Sequence, residues 1–195
     1  MEITEKELSI LRDTNFLLTK SAVLEKIYNL LEDTRTELIK VVNSSDFPFP
    51  KGTDTVTGKI SRGENYKNLP YMVLDYPTLF SNESSFAFRT MVWWGNFFSS
   101  TLHLEGEALG KCRKELVDNI NKLLDQEIFI GVGDTPWQYH YGEDNYLPIT
   151  KEHSKFISNC KFLKLSKKIE INEWQKLPLF TSNYFDLMLS ILSRS

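Results

Sequence analysis

The chain has little of what usually betrays a chemistry: two cysteines, three histidines and nine glycines in 195 residues. Cys112 and Cys160 stand far apart, without a CxxC pair or metal spacing, so two free thiols in a reducing, cytoplasmic compartment are expected. His103, His140 and His153 show neither HxxxH nor HxH spacing, and Asp134, Glu143 and Asp144 lack the rhythm of a calcium loop. No metal and no cofactor is therefore expected. The glycines form neither a GxxxxGK[ST] loop nor a GxGxxG turn, and the serines no GxSxG elbow, which leaves phosphate cradling and nucleophilic catalysis without support.

Long apolar runs are missing too. No stretch approaches the roughly 18 uninterrupted apolar residues of a membrane span, and the opening MEITEKELSILRD is acidic and amphipathic where a signal peptide is basic and then apolar. No membrane partner is expected. Nor is there an excess of one charge: a net −3 and an isoelectric point near 5.7 give no global field for nucleic acid. The basic helix face at Lys111, Arg113, Lys114 and Lys122 is interleaved with acids, and the lysines of KFLKLSKK, Lys161 to Lys168, read as guards of an exposed strand edge. Nucleic acid is not an expected partner.

What the chain does have is aromatic residues, at 13%, including thirteen Phe and four Trp. They concentrate in FAFRTMVWWGNFFSSTLHLE, Phe86 to Glu105, which reads as two strands folded back around Gly95-Asn96. A two-residue turn there sets Trp94 opposite Phe97. One face then carries Phe86, Phe88, Val92, Trp94, Phe97 and His103, and the other Arg89, Met91, Trp93, Phe98 and Leu102. Both faces are apolar, so both need cover: helices on one side, and more protein, a partner or a ligand on the other.

Around this hairpin the periodicity gives a helix from Glu5, signed by the Thr4 to Glu7 capping box, and a second over roughly 20–43 with Val23, Ile27, Leu30, Leu31 and Leu38 on one stripe. Residues 47–69 read as a long loop, and YMVLDYP as a short strand stopped by Pro77. A helix over 106–125, strands at 128–132 and 162–171, a short helix within 151–160 and a tail helix over 181–193 complete the pattern. The expected fold is a single α+β domain spanning 1–195, with a mainly antiparallel sheet of about five strands packed by N-terminal, central and C-terminal helices.

Candidate ligand-binding residues are Arg62, Tyr66, Asp75, Arg89, Trp94 and His103. Arg89 shares a face with Met91 and Trp93, where a guanidinium needs a carboxylate or an anionic ligand; an internal acid such as Asp75 or Glu105 would make it architectural. His103 has the acid/base range but projects to the opposite face from Arg89, so the two are not expected to share a site. Arg62 and Tyr66 lie in the Gly-flanked loop that could close over an anion, beside Asp75-Tyr76. No catalytic residue is assigned. Two functions remain: a noncatalytic binding or interaction domain whose aromatic sheet face receives a protein partner, a second copy in a homodimer or a small apolar ligand, and an enzyme that holds a small anionic substrate in an Arg/His/Asp/Tyr cleft.

Overall fold

A computed structural model describes residues 2–193. Seven strands form one antiparallel sheet: β1 (Lys59–Tyr66), β2 (Leu69–Phe80), β3 (Ser84–Trp93), β4 (Phe97–Glu105), β5 (Phe129–Gly131), β6 (Tyr146–Pro148) and β7 (Phe162–Glu170), in the spatial order β1-β2-β3-β4-β7-β5-β6. The helices are α1 (Glu5–Arg12), α2 (Thr14–Ser44), α3 (Gly106–Asp118), α4 (His153–Asn159) and α5 (Leu177–Leu192). This is the expected α+β class with an antiparallel sheet, carrying seven strands rather than five.

Capping decides how the chain enters. Thr4 and Glu7 form the reciprocal box at the start of α1, the Thr4 amide donating to Glu7 Oε2 at 2.8 Å. Asp13 then accepts from the Phe16 amide at 2.9 Å and starts α2, several residues before the apolar stripe alone suggested. α2, α3 and α5 lie on one face of the sheet. There Leu31 and Leu38 of α2, Leu109 and Leu116 of α3, and Phe185 and Met188 of α5 bury Leu74, Phe86, Phe88, Phe98, Leu102 and Leu104 in the main core.

Two expectations near the first strand are corrected. Residues 59–66, read as loop, form edge strand β1; its sequence KISRGENY is polar and unpatterned because one side of the strand is largely wet. Lys67 and Asn68 both take positive φ, 49° and 65°, and turn β1 into β2 as a two-residue hairpin of the type I′ kind. Pro77 does not stop β2, which runs on to Phe80 through an irregularity between Asp75 and Thr78 containing the cis Tyr76-Pro77 bond; a proline, lacking an N–H, is tolerated where the ladder is already broken.

The aromatic hairpin turns differently from expectation. Trp93, not Trp94, pairs with Phe97, so the loop holds Trp94, Gly95 and Asn96. The Asn96 amide donates to the Trp93 carbonyl at 3.1 Å, and Gly95 takes φ 72° in the third position of that turn. Because side chains alternate faces, one residue of slip moves all of β4 to the other side relative to β3. Phe98, Ser100, Leu102 and Leu104 therefore join Phe86, Phe88, Thr90 and Val92 under the helices. Phe97, Ser99, Thr101 and His103 join Arg89, Met91 and Trp93 on the opposite face. His103 and Arg89, expected apart, share a face.

Candidate functional site

The face away from the main helices is covered by the chain itself. Between β5 and β6, residues 132–145 cross the sheet as an irregular strap, whose Tyr139 joins Val73, Met91, Trp93 and Phe97 in a second apolar cluster against which Tyr66, Tyr71 and Tyr141 pack. Tyr66 crosses Trp93 at 5.1 Å and Trp93 crosses Phe97 at 5.4 Å, both edge to face. The second cover that the doubly apolar hairpin demanded is thus more protein of the same chain.

Beneath the strap the sheet is polar. Asp75, Arg89, Thr101 and Ser166 stand in one row across β2, β3, β4 and β7, and His103 pairs with Lys164 in the next row. Arg89 donates from Nε and from Nη2 to the two oxygens of Asp75, each at 2.7 Å, and from Nη1 to the Tyr139 hydroxyl at 2.7 Å. Burial works against the guanidinium's charge, but the Asp75 and Tyr139 bonds outweigh it and hold the proton more firmly than usual. Arg89 therefore has the internal carboxylate that makes it architectural.

Lys164 has no such partner. It is 1% exposed, and among the described residues it forms no ion pair. Its Nζ donates to the Gln138 carbonyl and lies 4.3 Å from the Tyr139 ring centre and 4.8 Å from that of Tyr146. Burial, with Arg89 adding repulsion, brings its pKa down to about 7. His103 is pushed down to about 4 by burial and then by Lys164 and Arg89, so it is neutral at pH 7. Its Nε2 is buried without a hydrogen bond among the described residues; the nearest acid, Glu105, is 3.7 Å away. The Phe80, Trp137 and Phe162 rings surround it.

Of the six residues picked from the sequence, four lie on this face. Asp75 and Arg89 are bonded to each other, His103 sits one row further on, and Tyr66 anchors the strap, its hydroxyl accepting from the Tyr139 and His140 amides at 2.6 and 3.1 Å. Arg62 and Trp94 do not join them. Arg62 pairs with Met72 on the helix side of β1 and lines an open groove of about 410 Å³ against Ser21, Glu25 and Tyr28 of α2. Trp94 sits at the hairpin tip, packed toward the helix-side core, its amide donating to the Pro70 carbonyl at 3.1 Å.

Sequence reasoning missed Lys164, Tyr139 and Ser166. The alternation of Leu163 and Leu165 around Lys164 was the available signal, since with both leucines inward the lysine must face the opposite side. The lysines read as edge guards because β7 was not recognised as an interior strand between β4 and β5. Among the described residues no three His, Cys, Asp or Glu side chains gather as a metal site needs, and no helix is long and apolar enough to cross a membrane. No family model matches the chain, and no curated protein or solved structure shows a significant match to it.

Proposed function

We propose that the chain is a noncatalytic interaction domain that associates with a second copy of itself in a reducing, cytoplasmic setting where Cys112 and Cys160 stay free. The sheet face that the sequence offered to a partner is occupied by the strap, so the partner surface belongs elsewhere. The observation that carries the proposal is an apolar stripe on α2 that outruns the body of the molecule.

Heptad positions Leu17, Leu24, Leu31 and Leu38 lie on one line of α2, with Phe16, Val23 and Leu30 beside them. Leu31 and Leu38 are fully buried, Leu24 is half-buried, and Leu17 is exposed, because the sheet ends before the helix does. The Lys20 to Glu64 ion pair at 3.0 Å marks where α2 reaches the edge strand, and the residues before it project. Ile3, Ile10, Leu11, Phe16, Leu17 and Leu18 are each 45–65% exposed, and Ile3, Ile10 and Leu11 line an open groove of about 520 Å³. Covering these side chains removes roughly 600 Å² from water per protomer, so two copies reach about 1,200 Å², the lower bound for a specific interface. The charges on this arm alternate in sign, Glu5, Lys6, Glu7, Arg12 and Asp13, which suits a self-complementary partner better than an anionic membrane.

Light scattering of the full chain at tens of micromolar is expected to give a dimer. Leu11→Glu with Leu18→Glu is expected to give a monomer with an unchanged circular dichroism spectrum. A wild-type chain that stays monomeric throughout that range removes the proposal. The enzymatic alternative is less favoured, because Arg62 faces away from Asp75 and Arg89 already holds a protein carboxylate.

A further inference from the structure

Two cations, a buried Lys164 and a largely covered Arg89, lie against one ring of the strap, and among the described residues only Arg89 has a counter-ion. The Arg89 guanidinium carbon is 5.2 Å and the Lys164 Nζ 4.3 Å from the centre of Tyr139. Asp75 occupies the Nε and Nη2 edge of Arg89, leaving Nη1 to the Tyr139 hydroxyl. Among the described residues Lys164 donates only to the Gln138 carbonyl. The outward-facing donor of each cation is thus taken by a neutral oxygen, and both oxygens belong to consecutive residues of the same strap. Neutral oxygens compensate a buried charge poorly compared with an anion.

The strap is suited to being displaced. Residues 132–145 contribute no strand to the ladder over the site, and they are held down largely by side-chain bonds: Tyr66 to the Tyr139 and His140 amides, Arg89 to Tyr139, Lys164 to Gln138, and Tyr141 to Ser166. An irregular segment of about this length inside a compact domain is uncommon unless it has a role, and local opening is easiest where no backbone ladder must break. Below it, among the described residues, the Ser99 hydroxyl and His103 Nε2 are buried without hydrogen-bond partners. The closed strap leaves both of them unsatisfied.

We propose that Arg89 and Lys164 form a binding site for a small oxyanion, a carboxylate or a phosphate, and that the Gln138 carbonyl and the Tyr139 hydroxyl occupy its place when the strap is closed. The anion's oxygens replace those two groups, accepting from Arg89 Nη1 and Lys164 Nζ, while Asp75 keeps the guanidinium plane in position. Binding supplies the missing counter-charge and lifts residues 137–141 from the sheet. The site is distinct from the apolar arm and does not depend on dimer formation.

The test uses the full chain with inorganic phosphate and, separately, acetate, each titrated at constant ionic strength against chloride. At least one is expected to raise the melting temperature by a few degrees in a saturable manner. The same anion should speed hydrogen exchange at the amides of Tyr139 and His140, which lose Tyr66 as the strap rises. Tyr139→Phe frees Arg89 Nη1 and is expected to tighten apparent binding several-fold. Lys164→Met, a substitution of similar length that removes a buried charge, is expected to fold and to lose the response. A phosphate response alone assigns a phosphate site, and an acetate response alone a carboxylate site. No saturable response to either anion in the wild type and in Tyr139→Phe overturns the proposal, as does an undiminished response in Lys164→Met.

Discussion

At the scale of single residues, Lys164 sets the chain's response to pH. The folded protein gives up this proton near pH 7, whereas the ordinary value is 10.5. Between those values the unfolded chain holds more protons than the folded one, so stability rises with pH. His103, lowered from 6.5 to about 4, acts with the same sign in the more acidic window. The other groups around Lys164 do not cancel this: Arg89 stays charged throughout, and burial raises Tyr139 and Tyr146 above the usual phenol range. Melting followed from about pH 7 to about pH 8, below the range in which the unfolded chain's thiols ionise while burial holds the protons on Cys112 and Cys160, should therefore show wild-type stability climbing, by at most about 1.4 kcal/mol per pH unit for one proton. Lys164→Met should be flat over that span. An equal climb in the variant would show that the lysine is not desolvated as described. The residue scale is also where the sequence was partly legible. Arg89 declared itself, since a guanidinium between Met91 and Trp93 demands an acid, and Asp75 lies directly across from it. Lys164 did not, because a lysine between leucines looks the same whether its own side of the strand is wet or covered.

At the scale of elements, the turns decided which side chains meet. The capping box of α1, the stripe of α2, the class of the sheet and the extent of β7 follow from periods and caps that act over a few residues. The length of one loop does not. A two-residue turn that pairs Trp94 with Phe97 and a three-residue turn that pairs Trp93 with Phe97 are equally compatible with Gly95, yet the choice inverts every face of β4 against β3 and brings His103 to the side of Arg89. Edge strand β1 was hidden for another reason: a strand with one wet edge needs no apolar alternation, and its pairing is supplied by β2 rather than by its own pattern. The joint after β4 is a further case of local geometry under tight constraint. Gly106 has φ 60° and begins α3 with its α-carbon against the Glu83 carbonyl; an added Cβ would lie 2.0 Å from that oxygen. Backbone cannot yield as a side chain does. Gly106→Ala is expected to cost more than about 2 kcal/mol by strain and by disturbing the Ser84 pairing. Gly110, four residues on in the same helix and facing open space, is the control: Gly110→Ala should stabilise by about 0.5–1 kcal/mol. Urea unfolding of both variants measures the difference, and equal effects would contradict the described start of α3.

At the scale of the whole molecule, the chain divides its apolar surface into two closed layers and one open arm. The helix-side core and the strap-side cluster each have their cover, whereas α1 buries nothing and the first buried residue of α2 is Ile27. A helix of 31 residues is about 46 Å long, and in a monomer its first third contributes almost nothing to the core. Stability and association should therefore separate. Deleting residues 2–12 removes no buried side chain and keeps the Asp13 cap of α2, so the shortened monomer should melt within a couple of degrees of the full-length monomer, measured at the low concentrations where neither associates. The full chain's melting temperature should rise with protein concentration, as it does whenever folding is coupled to dimerisation. In the deletion variant, lacking Ile3, Ile10 and Leu11, that dependence should shrink with a dimer affinity at least tenfold weaker, about 1.4 kcal/mol. A large drop in monomer stability would mean that α1 packs on the body in solution. An undiminished concentration dependence would place the contact between copies on a surface other than the arm.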